Sequence, residues 1–273
     1  MRKHIFIPDN QVKPGAPTDH LGWIGRYIVE QQPDVIVNAG DFADMESLSS
    51  YDKGKLAGEG ARVQDDIDSC MSAWDDLNAP IEAYNAKKRR YKERQYKPEK
   101  HITLGNHEHR INRHVDANPE LEGFMSVHDL ELERYGWEVH PFLDVVEIDG
   151  IHYSHYFANQ MTGKPLGGML STRIKNIGFS FCMGHQQILD TTHRYLANGT
   201  RQRGLVCGSC YLYDDDYRGV QANGAWHGIM VLHEVKNGDY DLMEVSLDYL
   251  CRKYEGATLK EFMLQKYDTV LSR

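Results

Sequence analysis

Short apolar runs that stop abruptly at polar residues set the rhythm of the first half of this chain. HIFIP ends in Asp9-Asn10-Gln11, DVIVNAG ends in Asp41, and HITLG ends in Asn106-His107-Glu108. A near-continuous apolar run is the pattern of a strand buried on both faces, as in a parallel sheet. Between the first two runs a Pro/Gly turn leads into helix-like spacing over about 20–32, so the chain opens as strand, loop, helix, strand. A polar stretch over about 45–100 follows. Its middle, 63–96, has helical spacing and ends in KKRRYKERQYK. This is too long for a simple connection and predicts a mainly helical insertion, placed as a cap over the strand ends.

Beyond residue 140 the pattern becomes strand-rich. VVEIDGIHYSHY predicts a hairpin turning at Asp149-Gly150, and GIMVLHEVKNGDYDLMEVSL another at Asn237-Gly238. FSFCMG and GLVCGS supply further strands, and a helix begins at about Thr258. The expected architecture is one α/β domain over 1–273, with two packed sheets and helices outside.

Composition changes this picture little. A chain of 273 residues, 41% hydrophobic and 26% charged, buries a full core and has no disordered or fibrous bias. The start, MRKHIFIPDN, lacks the apolar core of a signal peptide, and no apolar run approaches the ~18 residues of a membrane span. A soluble, cytoplasmic protein without a membrane partner is expected. The net charge of −9 argues against broad attraction to polyanions, which rests on a basic surface. Five scattered cysteines, an odd number, predict reduced thiols; Cys207 and Cys210 form a C-x-x-C without the second pair of a zinc site.

Chemistry concentrates at strand ends, where layered α/β sheets bind ligands. Asp9 with Gln11, Gly40-Asp41, Gly105-Asn106-His107-Glu108 and Gly184-His185-Gln186-Gln187 each follow an apolar run, and His155 ends the hairpin strand IHYSH. A single Asp or His there is an ordinary cap or loop residue. Five successive strand ends carrying metal-ligand types point to a metal centre. The sequence HEHRINRH does not make a zincin, because H-E-x-x-H requires His where Ile111 stands, and neither a P-loop nor G-x-G-x-x-G occurs.

In order, Asp9-x-Gln11, Gly40-Asp41-x-x-Asp44, Gly105-Asn106-His107-Glu108, His155 and Gly184-His185-x-Gln187 resemble the signature of the calcineurin-like metallophosphoesterases, whose blocks read D-x-H, G-D, G-N-H-E, H and G-H-x-H. The resemblance implies a four-layer α/β/β/α sandwich holding two divalent metal ions, with Mn²⁺ foremost and Mg²⁺, Fe²⁺, Zn²⁺ or Ni²⁺ as the other candidates. It implies Asp41 as a bridging carboxylate, Asn106, His155 and His185 completing one site, and Asp9, Gln11 and Gln187 lining the other. Gln11 and Gln187 stand where the family carries histidine, and amide oxygen in place of imidazole leaves that site harder and weaker, or empty.

The implied reaction is hydrolysis of a phosphate mono- or diester by metal-bound hydroxide, on nucleotide or nucleic-acid substrates among others. In that reading His107 protonates the leaving oxygen, Asp44 hydrogen-bonds His107, and Glu108 orients the loop. Lys87, Lys88, Arg89 and Arg90, with Arg110, are candidates for steering an anionic substrate, although such runs are commonly solvated helix faces. The long insertion resembles phage-encoded phosphoesterases, which would place the protein in the host cytoplasm. Cellular protein phosphatases carry Arg-Gly where this chain has Met45-Glu46. The alternatives are a DNA exo- or endonuclease with the same signature, supported by the basic run, and a degenerate metal-binding structural or interaction protein.

Overall fold

The computed structural model describes residues 1–49, 60–213 and 225–268, which form two β-sheets packed face to face between helices. The three early apolar runs are β1 (Arg2–Ile7), β2 (Val35–Asn38) and β3 (Glu99–Thr103), paired in parallel. A short strand without an apolar signal, β4 (Glu138–His140), joins β3 at one edge. At the other edge, β10 (Gly228–Lys236) and β11 (Asp239–Ser246) form the Asn237-Gly238 hairpin, and β10 runs antiparallel to β1. The second sheet has the order β5 (Val146–Ile148), β6 (Ile151–Tyr153), β7 (Ser180–Met183), β9 (Arg201–Cys207), β8 (Leu189–Tyr195). Within it β6, β7 and β9 are parallel.

Side chains alternate across a strand, so each sheet has two apolar faces to cover. Ile5, Ile7, Ile36 and Ile102 of the first sheet pack under α1 (Asp19–Gln31), α2 (Val63–Arg90), α5 (Leu247–Glu255) and α6 (Leu259–Tyr267). The opposite face, with Phe6, Val35 and Val37, meets Ile151, Tyr153, Cys182 and Leu205 of the second sheet. Phe181, Met183 and Val206 on the outer side are covered by α4 (Leu170–Ile177). The fold is a four-layer α/β/β/α sandwich. The capping box of Thr258 and Glu261 starts α6 where the sequence places a helix. None of the described helices is long and apolar enough to cross a membrane.

The polar stretch over 45–100 does contribute a long helix, α2, but that helix is not a cap over the strand ends. It lies along α1 in the outer layer because one face carries Ile67, Cys70, Trp74, Leu77 and Ile81, a stripe that needs a packed partner. Trp74 meets Phe42 edge-on at 4.6 Å and Trp137 at 4.7 Å. Gly25 of α1 allows close contact, since a Cβ there would stand 2.4 Å from the Leu77 carbonyl oxygen. The part of the stretch over 50–59 lies outside the described residues.

Candidate metal and active site

The parallel strands of both sheets end at the same side of the sandwich, and their loops converge there. Asp9 follows β1, Asp41 follows β2, Asn106 follows β3, His155 follows β6 and His185 follows β7. Two contacts lock the sheets together at this point. His155 Nδ1 donates to the Ala39 carbonyl at 2.8 Å, and the His185 backbone N–H donates to the Asp9 carboxylate at 3.0 Å. Glycines make room: a Cβ at Gly105 would fall 2.0 Å from Asp41 Oδ1, and one at Gly184 would fall 2.1 Å from Asp9 Oδ1. Gln11, Asp41, His185 and Gln187 all hold left-handed backbone at φ of 44°, 47°, 68° and 57°. Such strain in non-glycine residues persists only where the surroundings enforce it, and it gathers at functional sites.

Around Asp41 the donor atoms turn inward. His155 Nε2 lies 3.2 Å from Asp41 Oδ2 and 3.0 Å from Asn106 Oδ1. A ligand nitrogen of His185 joins Asp41 and His155 in a group whose donor atoms all lie within 4.8 Å of one another. Because His155 Nδ1–H is committed to Ala39, its Nε2 must either carry a second proton or present a lone pair among these oxygens. Burial lowers the His155 pKa, but the Asp41 charge and hydrogen bond, with Asp9 and the Ala39 carbonyl, outweigh it and lift the group to about 9. The position demands positive charge. His185, half-buried beside His155, is depressed to about 4 by desolvation and by the His155 charge, and is a neutral imidazole near neutral pH. Four donors of hard and borderline type, a neutral imidazole among them, fit a divalent cation.

A second group stands on the rim. His107 Nδ1 lies 2.6 Å from Asp44 Oδ1, and its Nε2 is 3.6 Å from Asp41 Oδ2. Burial lowers the His107 pKa, whereas Asp41 and the Asp44 hydrogen bond raise it, and the net shift is upward despite Arg110. Arg110 donates to the Asp44 carbonyl at 2.8 Å and approaches His107 Nε2 at 3.4 Å. Glu108 is buried and accepts three backbone N–H bonds, from Asp41, Ala43 and Gly105, tying the β2 and β3 loops together.

The glutamine positions take a different form. Asp9 is fully buried, and burial raises its pKa even though the His185 N–H hydrogen-bonds it. A cation beside Asp9 would relieve that cost. Gln187 Oε1 accepts from the Tyr211 hydroxyl at 2.8 Å, and the Gln11 carbonyl accepts from Tyr213 at 2.6 Å. Gln11 N–H in turn donates to the Asp41 carbonyl. An aromatic pair, Tyr211 stacked on Tyr213 at 4.6 Å, therefore backs both glutamines. No pattern in the sequence marks these tyrosines. A buried relay escapes it too, in which Asn38 bridges Asn10 and the Gly40 N–H. Its one trace is an amide at the end of the otherwise apolar run VIVN.

The basic run does not line this centre. Lys87, Lys88, Arg89 and Arg90 occupy the last turn of α2, and the next loop returns to the N-terminal strand ends through Tyr96, which bonds the Pro33 carbonyl. The first turn of α2 is the end near the site, where Asp66 accepts from Ser47. At ~1.5 Å per helical residue the run lies roughly 32–36 Å from Asp66. Of the steering candidates only Arg110 reaches the centre.

No family model and no curated protein matches this chain. Among solved structures, one crystal structure covers 90% of this chain and 99% of its own at 14% identity, with a TM-score of 0.44. The crystal structure of TT1561 of Thermus thermophilus covers 89% of this chain and 98% of its own at 8% identity, with a TM-score of 0.38.

Proposed function

We propose that this chain is a metal-dependent phosphoesterase that hydrolyses phosphate mono- or diesters at the strand-end centre. The observation that carries the reading is the convergence of Asp41, Asn106, His155 and His185 on one point that demands positive charge, with His107 beside it. Asp41, Asn106, His155 and His185 would hold one divalent ion, with Mn²⁺ the first choice, and Asp9, Gln11 and Gln187 would line a second, weaker position. Bound cations would activate water and neutralise the charge of the phosphate.

The protein's own groups supply the rest. His107, whose pKa Asp41 and Asp44 raise against the effect of burial, stands where it can give a proton to the leaving oxygen. Arg110 holds Asp44 in place and brings a guanidinium to the phosphate side of His107. Glu108 fixes the spacing of the Asp41 and Asn106 loops. With the basic run at the far end of α2, support for a nuclease that tracks long nucleic acid falls away, and small phosphate esters, nucleotides included, are the favoured substrates. The test is hydrolysis of bis-nitrophenyl phosphate by the purified chain with added Mn²⁺. Turnover that is lost in Asp41→Ala supports the reading; metal uptake without turnover on mono- or diesters leaves a binding protein.

A further inference from the structure

A second convergence of metal-ligating side chains lies away from the centre, on the edge of the first sheet. β3 and β4 pair in parallel with His101 opposite Glu138 and Thr103 opposite His140. Partners in register project to the same face, so His101, Glu138 and His140 stand together, on the face that Val37 turns toward the second sheet. His101 Nδ1 is 3.1 Å from His140 Nε2 and 3.5 Å from the Glu138 carboxylate, whose other oxygen is 3.9 Å from His140 Nε2. Nitrogen and oxygen ligands about 2.0–2.1 Å from a tetrahedral ion stand ~3.4 Å from one another. The two nitrogens and the two carboxylate oxygens, at 3.1–3.9 Å, stand close to that spacing.

The alternative partner for each imidazole is the other, through one shared proton. That pairing satisfies the two facing nitrogens but gives the Glu138 carboxylate, 66% exposed and turned toward both of them, no role, and the buried His101 Nε2 is without a partner under either reading. Both imidazoles are about one-seventh exposed and set by the strand backbone, whereas Glu138 can swing onto an ion from solvent. Glu99 and Asp144 add negative charge nearby, and Arg2, whose positive charge acts on His101, is already paired with Glu99 and Asp149.

We propose that His101, His140 and Glu138 form a separate surface site for one borderline divalent cation of the Zn²⁺ type, with water completing its coordination. Two nitrogens and one oxygen exclude Mg²⁺ and Ca²⁺ as preferred ions. His101 precedes Gly105 by four strand-like residues, so the site lies roughly 13 Å from the Asp41 centre. The ion would clamp the three-residue strand β4 to β3, and through it the segment bearing Phe142, which stacks on His109 and abuts Tyr156 beside His185.

The experiment is titration of the chelator-stripped full chain with Zn²⁺, and with Co²⁺ for its tetrahedral absorption, in the parent, Glu138→Gln, His140→Ala and His185→Ala. One equivalent should disappear in His140→Ala, and Glu138→Gln should weaken that equivalent about tenfold or more. His185→Ala should keep it while losing metal from the Asp41 centre, so the two sites are read separately. Glu138 is exposed enough that its variant folds, and it decides the matter if His140→Ala does not. Equal stoichiometry and affinity in the parent, Glu138→Gln and any folded His140→Ala would overturn the site and leave a plain imidazole–imidazole hydrogen bond.

Discussion

His107 is held through Nδ1 by Asp44, which leaves Nε2 as the atom that faces the centre. If that nitrogen serves the leaving group, His107→Ala keeps its metal and slows esters with poor leaving groups by roughly 10² to 10⁴. Nitrophenyl esters, which need less help, should lose far less; equal slowing of both ester types would show that the imidazole binds phosphate instead. The pKa of His107 is raised above its ordinary 6.5, so the paired, charged form is complete below 6.5 and is lost as pH rises through the raised value. Asp44→Asn keeps an acceptor oxygen but removes the charge that contributes to the rise. The basic limb of kcat/KM against pH should therefore move to lower pH in that variant. An unmoved limb would assign it to another group.

The helices α1 and α2 touch where Gly25 faces Leu77 and Pro80, with a Cβ position 2.4 Å from a backbone oxygen and 2.9 Å from Pro80 Cγ. In an exposed helix Gly→Ala stabilises by about 0.5–1 kcal/mol. Here the sign reverses, because a carbonyl cannot step aside as a flexible side chain can. Gly25→Ala should cost about 1–3 kcal/mol in denaturant unfolding, the usual penalty of overpacking; a stabilised variant would mean that the helices separate freely. The strands β1, β2, β3, β7, β9 and both hairpins are legible in the sequence because buried apolar runs and Asp-Gly or Asn-Gly turns are local signals. β4 and β8 are not. Glu138-Val139-His140 has no apolar run and is a strand only because β3 offers it an edge, and β8, LDTTHRY, is made by pairing with β9.

At the scale of the whole molecule, the proposed metal uptake would be linked to protons and to stability. In the metal-free protein His155, lifted from 6.5 to about 9, contributes stability that is fully present below 6.5 and is lost as pH rises through about 9. In the proposed centre a cation would take the place of that proton, so Mn²⁺ affinity should climb with pH across this window, with release of about one proton per ion near neutrality. Calorimetry in buffers of different ionisation enthalpy measures the release. At Mn²⁺ a hundredfold above Kd the folded state gains about 2.7 kcal/mol. At ~2–4 °C per kcal/mol for larger domains, the melting temperature should rise by roughly 5–10 °C over the chelator-treated protein. Identical melts with and without Mn²⁺ would remove the metal centre from the account. By itself the sequence determined the strand-end blocks Asp9, Gly40-Asp41, Gly105-Asn106-His107-Glu108, His155 and Gly184-His185, along with the α/β character, since strand period and turn chemistry act over a few residues. Only the tertiary structure decided which of them meet. Asp9 bonds a residue 176 positions away and His155 a carbonyl 116 positions away, which requires the order of strands in two sheets. It also sent the basic end of α2 away from the centre and set His101 beside His140, because helix direction and strand register answer to burial across the whole chain, which no local stretch of residues encodes.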